Sequence, residues 1–183
     1  MAKTDKKTVL SVLNIGARLL VICLAVAAVV SLVNEVTKAR YAELQLEEQR
    51  NSMASIFGAT DIAVAELGDN VYQVRQGERI LGYCVQAVTA GFGGDMTLMV
   101  GFGSDRSIAG VQILSHSETP GLGAKASDAA YLAQYQGKSG TLSLGEDIDA
   151  VSGATISSRA VLSGVTKAQE ILDSHLAKGG DAQ

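Results

Sequence analysis

A single proline, Pro120, in 183 residues leaves no room for a Pro-rich linker or a collagen-like tract. Basic charge is also scarce. The chain has net charge −4 and pI near 5.1, so nucleic acid is excluded as a partner for want of a basic face. There are two cysteines, Cys23 and Cys84. They cannot pair if Cys23 lies in a membrane span, and no CxxC or Cys/His spacing supplies a metal or iron–sulfur site. No GxSxG elbow marks a serine hydrolase. No GxGxxG fingerprint marks a nicotinamide site. No internal repeat and no βαβ rhythm occur. What remains is one domain plus an appendage, 47% hydrophobic, long enough to bury a core without disulfides.

The charge is unevenly spread. Residues 1–34 carry Lys3, Lys6, Lys7 and Arg18 against Asp5, whereas residues 35–183 carry 11 Lys+Arg against 18 Asp+Glu. A basic, apolar start precedes an acidic body. From Leu19 to Val33 every residue is apolar or small. Counted from Leu13, the run reaches the roughly 20 residues a bilayer core requires. Arg18, near one end, can snorkel to the headgroups. The positive-inside rule puts the N-terminus in the cytoplasm and the body outside it. A cleaved signal peptide shares the basic start and apolar run. The residues after Val33, Asn34-Glu-Val-Thr-Lys-Ala-Arg40, make a poor cleavage site. A retained anchor in membrane lipid is therefore the reading, over residues 1–34.

Residues 35–58 read as a helical stalk, with Val36, Ala39, Leu46, Met53 and Ile56 at helical spacing and Gly58 as its stop. Strands follow. Val71–Arg75 and Arg79–Val88 flank a polar turn at Gly77-Glu78, as in a hairpin. Asp95–Phe102 alternates Met96, Leu98 and Val100 with Thr97 and Met99, and Ile108–Leu114 follows a turn at Gly103–Arg106. His116–Gly123 is a loop. Ala124–Gln136 reads as helix, Thr141–Asp149 as strand or loop, and Ser157–Lys178 as helix with a stripe at Val161, Val165, Ala168 and Leu172. The tail Gly179–Gln183 is expected to fray. A meander of antiparallel strands followed by helices is an α+β domain.

The segment Asp149-Ala-Val-Ser152-Gly153-Ala154-Thr155-Ile-Ser-Ser precedes the last helix. Its small residues let the backbone approach a ligand, and a helix N-terminus suits a phosphate. Read from residue types alone, the Ser/Thr run is an N-cap. A His116–Ser117 hydrolase pair has no supporting motif. A metal site at His116, Glu118 and Asp128 lacks a ligand spacing. His175 suits a helix C-terminus, and Tyr131 and Tyr135, at i and i+4, suit packing.

Asp149, Ser152, Gly153, Ala154 and Thr155 together resemble the D-x-x-S/T-G-A-T flavinylation motif of the FMN-binding domain family. The His116-Ser-Glu-Thr-Pro-Gly-Leu-Gly123 stretch resembles that family's ETPGLG loop. With the N-terminal anchor and stalk, the layout is similar to the G-subunit family of Rnf-type electron-transport complexes. The resemblance implies that residues 59–183 form an extracytoplasmic FMN-binding domain. It implies a phosphoester between FMN and Thr155, made by a flavin transferase with FAD as donor. It further implies a flavin ring near the loop: Gly121 and Gly123 permit close approach, Leu122 offers an apolar face, Thr119 a hydrogen bond, and Glu118 orients the loop. The implied role is an electron carrier, one electron at a time, beside other membrane and iron–sulfur subunits of a complex that couples ferredoxin and NAD to ion movement. The related C subunit of sodium-translocating NADH:quinone reductase shares the motifs but is normally longer. A membrane-anchored flavin sensor or scaffold is the alternative outside redox transport.

Overall fold

A computed structural model describes residues 6–179, so Lys3 and the tail beyond Gly179 lie outside the described residues. The chain divides into a unit ending at Leu46 and a unit from Glu47 onward. One helix, α1 (Lys6–Phe57), contributes to both. In the first unit, Ile15–Glu35 is long and apolar enough to cross a membrane, with mean hydropathy 2.5 and none of it buried. Its Leu, Ile and Val side chains are exposed on every side. No polar stripe interrupts them, as suits lipid rather than a protein core.

The second unit is built on five strands: β1 (Ala63–Gly68), β2 (Val71–Gln76), β3 (Arg79–Ala90), β4 (Asp95–Gly103) and β5 (Ile108–Ser115). They lie in chain order, every pair antiparallel, which is the expected meander. The fold is α+β, as the sequence pattern predicts. Strand β4, between β3 and β5, is buried on both faces. Met96, Leu98, Val100 and Phe102 point to one face and Met99 to the other.

The first face packs against α3 (Thr155–Ala177), which lies over β3 and β4. The predicted stripe Val161, Val165, Ala168 and Leu172 is at most 2% exposed. Each buried Val or Leu there contributes about 1.5–3 kcal/mol. Gly164 lets the helix approach closely, because a Cβ there would strike Leu98. The second face is covered by the last turns of α1, where Met53, Ile56 and Phe57 pack with Val74, Cys84 and Met99. Gly58, at φ +62°, ends that helix. Its N–H reaches Ser55 O at 3.2 Å and the Ala59 N–H reaches Ala54 O at 3.0 Å, a Schellman pairing.

Two segments differ from the sequence reading. Strand β1 carries no apolar alternation and is mostly exposed, so no period marks it. Ala124–Gln136 is not one helix. A 3-10 turn (Gly123–Ser127), a single α turn, α2 (Ala129–Leu132), and another 3-10 turn (Ala133–Tyr135) replace it. Asp128 is extended, at φ −68° and ψ 140°, and breaks the helical path. Tyr131 and Tyr135 are buried with rings edge-to-face, centroids 6.1 Å apart, in the expected packing role. Thr141–Asp149 is a loop with one bridge, Leu144 to Ile148.

Candidate functional site

Three segments far apart in sequence meet at one end of the sheet: the β3–β4 turn at Gly91–Gly94, the loop His116–Gly123, and the start of α3. Glu118 joins them. Its Oε1 accepts from the Phe92 N–H at 2.7 Å and the Gly93 N–H at 3.3 Å, and its Oε2 accepts from Ser157 Oγ at 2.6 Å. Its own N–H donates to His116 Nδ1 at 3.2 Å. Glu118 is only 5% exposed, so these donors replace the water it has lost. Burial alone would raise its carboxyl pKa. The hydrogen bonds from Ser157, Gly93 and Phe92, with His116 nearby, outweigh that and hold it below the usual value.

The loop itself is shaped by its proline and glycine. The Leu122 N–H bonds Thr119 O at 3.2 Å across Pro120-Gly121, with Gly121 at φ +75°. Proline second and a left-handed glycine third make a type II turn. Gly121 thus turns the chain and does not line the cavity. Gly123 is needed for a different reason: a Cβ there would strike Glu118 Oε2 and come within 2.7 Å of Ser157 Oγ.

Helix α3 begins at Thr155, with Ala154 in the cap position and no side-chain cap. The N-cap expected from the Ser/Thr run is therefore absent. Gly153, at φ +78°, swings the chain so that Thr155 falls inside the first turn rather than before it. The first intrahelical bond runs from the Ser158 N–H to Ala154 O at 3.0 Å. Among the described residues, no side chain accepts from the amides of Thr155, Ile156 and Ser157. The positive end of the helix dipole is thus left open.

The hydroxyls here are not equivalent. Ser157 is buried and donates to Glu118, while Ser158 is buried and its Oγ accepts from the Val151 N–H at 2.9 Å. Thr155 is exposed and lines the cavity; Ser152 is exposed but lies outside the cavity wall. Asp149 is also exposed and away from the cavity, its N–H donating to Gln134 Oε1 at 2.9 Å.

The cavity between these segments measures about 260 Å³. Of the residues singled out in the sequence, Glu118, Thr119, Leu122, Gly123, Gly153, Ala154 and Thr155 line it. Phe92, Ile156 and Ser157 complete the wall, and the sequence reading gave none of them a place there. Phe92, Leu122 and Ile156 are 67%, 47% and 54% exposed and form an apolar rim. The site therefore offers an open helix N-terminus for an anion, the exposed Thr155 at that helix end, a second exposed threonine, Thr119, on the loop, and apolar surface for a flat ring.

The family model described as the FMN-binding domain matches residues 91–170, which spans all three segments. The chain is 31% identical over 168 residues to a Clostridium ljungdahlii protein named as the G subunit of a proton-translocating ferredoxin:NAD(+) oxidoreductase complex. That match covers 87% of this chain and 91% of the relative. It is 32% identical to a Methanosarcina acetivorans protein named as the G subunit of an ion-translocating oxidoreductase complex, covering 87% and 92%. Its fold is similar to the crystal structure of the C subunit of a Na(+)-translocating NADH-quinone reductase from Parabacteroides distasonis. There the TM-score is 0.50 at 22% identity, over 62% of this chain and 63% of that one.

Proposed function

The chain belongs to the G-subunit family of ion-translocating oxidoreductase complexes, and from that premise we propose that it is a membrane-anchored electron carrier whose FMN is esterified to Thr155. One observation carries the attachment. Of the hydroxyl residues at the uncapped start of α3, Thr155 is the exposed one on the cavity wall, while Ser157 and Ser158 are buried and engaged; Thr119, also exposed on the wall, lies on the loop and not at the helix end.

The residues fit the group. The amides of Thr155, Ile156 and Ser157 suit a phosphate at a helix N-terminus. Phe92, Leu122 and Ile156 supply apolar contact for the ring. At about 260 Å³, the cavity is smaller than the roughly 300–1,000 Å³ of enclosed ligand sites. In a cavity of this size a covalent tether at Thr155 retains the group without relying on contacts alone. In the attachment, Thr155 Oγ bonds to the flavin-side phosphorus of FAD. The pyrophosphate bond breaks, AMP leaves, and the hydroxyl proton is released. A flavin transferase performs this step.

Once bound, FMN supplies the redox chemistry. Thr155 fixes its tail, Glu118 holds the loop and turn in place, and the rim limits water at one side of the ring. Ile15–Glu35 anchors the chain in lipid, with the N-terminus cytoplasmic and the C-terminal domain, residues 59–183, on the outer side. Ferredoxin and NAD bind other subunits, among them iron–sulfur subunits, because this sequence carries neither recognition motif.

The test is a complex isolated with Thr155→Ala. The variant chain assembles in normal amount, yet ferredoxin-dependent NAD reduction by the complex is lost. Normal electron transfer through the variant complex refutes the carrier reading and favours a scaffold.

A further inference from the structure

Glu118 is a buried carboxylate on the wall of the cavity, and its three donors come from two segments other than its own. A structural brace does not require a charge in that place. Gln would occupy the same volume, accept from the Phe92 and Gly93 amides, and donate to the Ser157 hydroxyl with its Nε2. The charge is therefore an additional feature with its own consequence. No basic side chain lines the cavity with it. The groups that bond its oxygens are dipoles, two backbone amides and the Ser157 hydroxyl, with His116 nearby outside the cavity wall.

We propose that the Glu118–Ser157 pair sets the midpoint potential of the flavin, with the carboxylate fixing a negative charge in the cavity wall that opposes reduction. The inference rests on the reading that this cavity holds FMN. Reduction adds negative charge to the ring, and a carboxylate close by in a partly dry site raises the energy of that state. At an effective dielectric of about 20, a unit charge within about 12 Å shifts an equilibrium tenfold or more. Glu118 is a positioning and electrostatic residue in this account, and it exchanges no electron or proton. Ser157 tempers the field, because its hydroxyl dipole points at the carboxylate.

The two side chains therefore pull the potential in opposite directions. In Glu118→Gln the charge is gone and the brace is kept, so the potential rises by at least about 30 mV, a tenfold change for a two-electron couple. In Ser157→Ala the charge stays and loses a donor, so the potential falls. Loosening of the site alone would move both variants the same way or neither.

The experiment uses the full-length chain in detergent, co-expressed with a flavin transferase. Covalent flavin is quantified first by intact mass, and the potential is then titrated by spectroelectrochemistry at pH 8. A wild-type chain without flavin overturns the functional reading itself. Loaded wild type and Glu118→Gln with equal potentials overturn the charge assignment alone, as does a fall in Glu118→Gln. If Glu118→Gln fails to fold or load, Ser157→Ala decides: an unmoved or raised potential overturns the proposal.

Discussion

Replacing Gly123 by Ala tests whether the site is held together through Glu118. The backbone at Gly123 lies outside the left-handed region, so alanine fits it conformationally. In an unstrained position that exchange stabilises by about 0.4–1 kcal/mol. Here the new Cβ meets Glu118 Oε2, Ser157 Oγ at 2.7 Å and Glu118 Cβ at 3.2 Å. Gly123 opens a 3-10 turn and is itself buried, so the side chains must yield. The bond they lose is Ser157 to Glu118, at 2.6 Å. A hydrogen bond to a charged group contributes about 1.5–3 kcal/mol. The net cost is about 1–2 kcal/mol, or roughly 4–8 °C in melting temperature for a domain of this size. Thermal unfolding of the full-length chain in detergent, followed by circular dichroism, measures it. In a Ser157→Ala background the same substitution costs much less, since the bond is already gone. An unchanged melting temperature, or an equal cost in both backgrounds, refutes the reasoning.

Acid should weaken the wild type in a particular way. Glu118's carboxyl lies below its ordinary value of 4.5 in the folded chain, so its contribution is full above pH 4.5 and is lost as pH falls through the lower folded value. The melting-temperature gap between wild type and Glu118→Gln is thus flat above pH 4.5 and closes below it; a gap that widens in acid contradicts this. Asp105, lowered by its hydrogen bonds from Ser107, is common to both chains and cancels. Orientation is testable through cysteine. Cys84 is fully buried and burial pushes its thiol up to about 12, so it stays silent to maleimides until the domain unfolds. A Ser139→Cys chain, changed at an exposed loop position, should label in intact cells with a membrane-impermeant maleimide. Labelling only after lysis would reverse the topology.

Much of the fold is legible because its signals are local. The β2–β3 hairpin announces itself by alternation around Gly77-Glu78, and α3 by the stripe from Val161 to Leu172. Strand β1 was not legible, because Ala63–Gly68 buries almost nothing and so has no period to read. The broken segment after Gly123 misled because Tyr131 and Tyr135 keep helical spacing, although Asp128 is extended and ends the path.

The site divides in the same way. Thr155, Gly153 and Leu122 could be found from short motifs. Phe92 could not, since it sits in a glycine turn 26 residues before the carboxylate it holds. Ser157 looked like one more hydroxyl in a capping run, and only its bond to Glu118, 39 residues away, gives it a role. The cap itself was misplaced because Gly153 takes a left-handed turn, which moves the helix start onto Thr155. Residue types alone do not report a dihedral angle.

The most direct test of the central claim is the intact mass of the full-length chain under denaturing conditions after co-expression with a flavin transferase, beside Thr155→Ala. The wild type should gain the mass of one FMN less one water, and the variant nothing. No gain in the wild type, with the transferase shown active on another substrate, would contradict that claim, as would the same gain in Thr155→Ala.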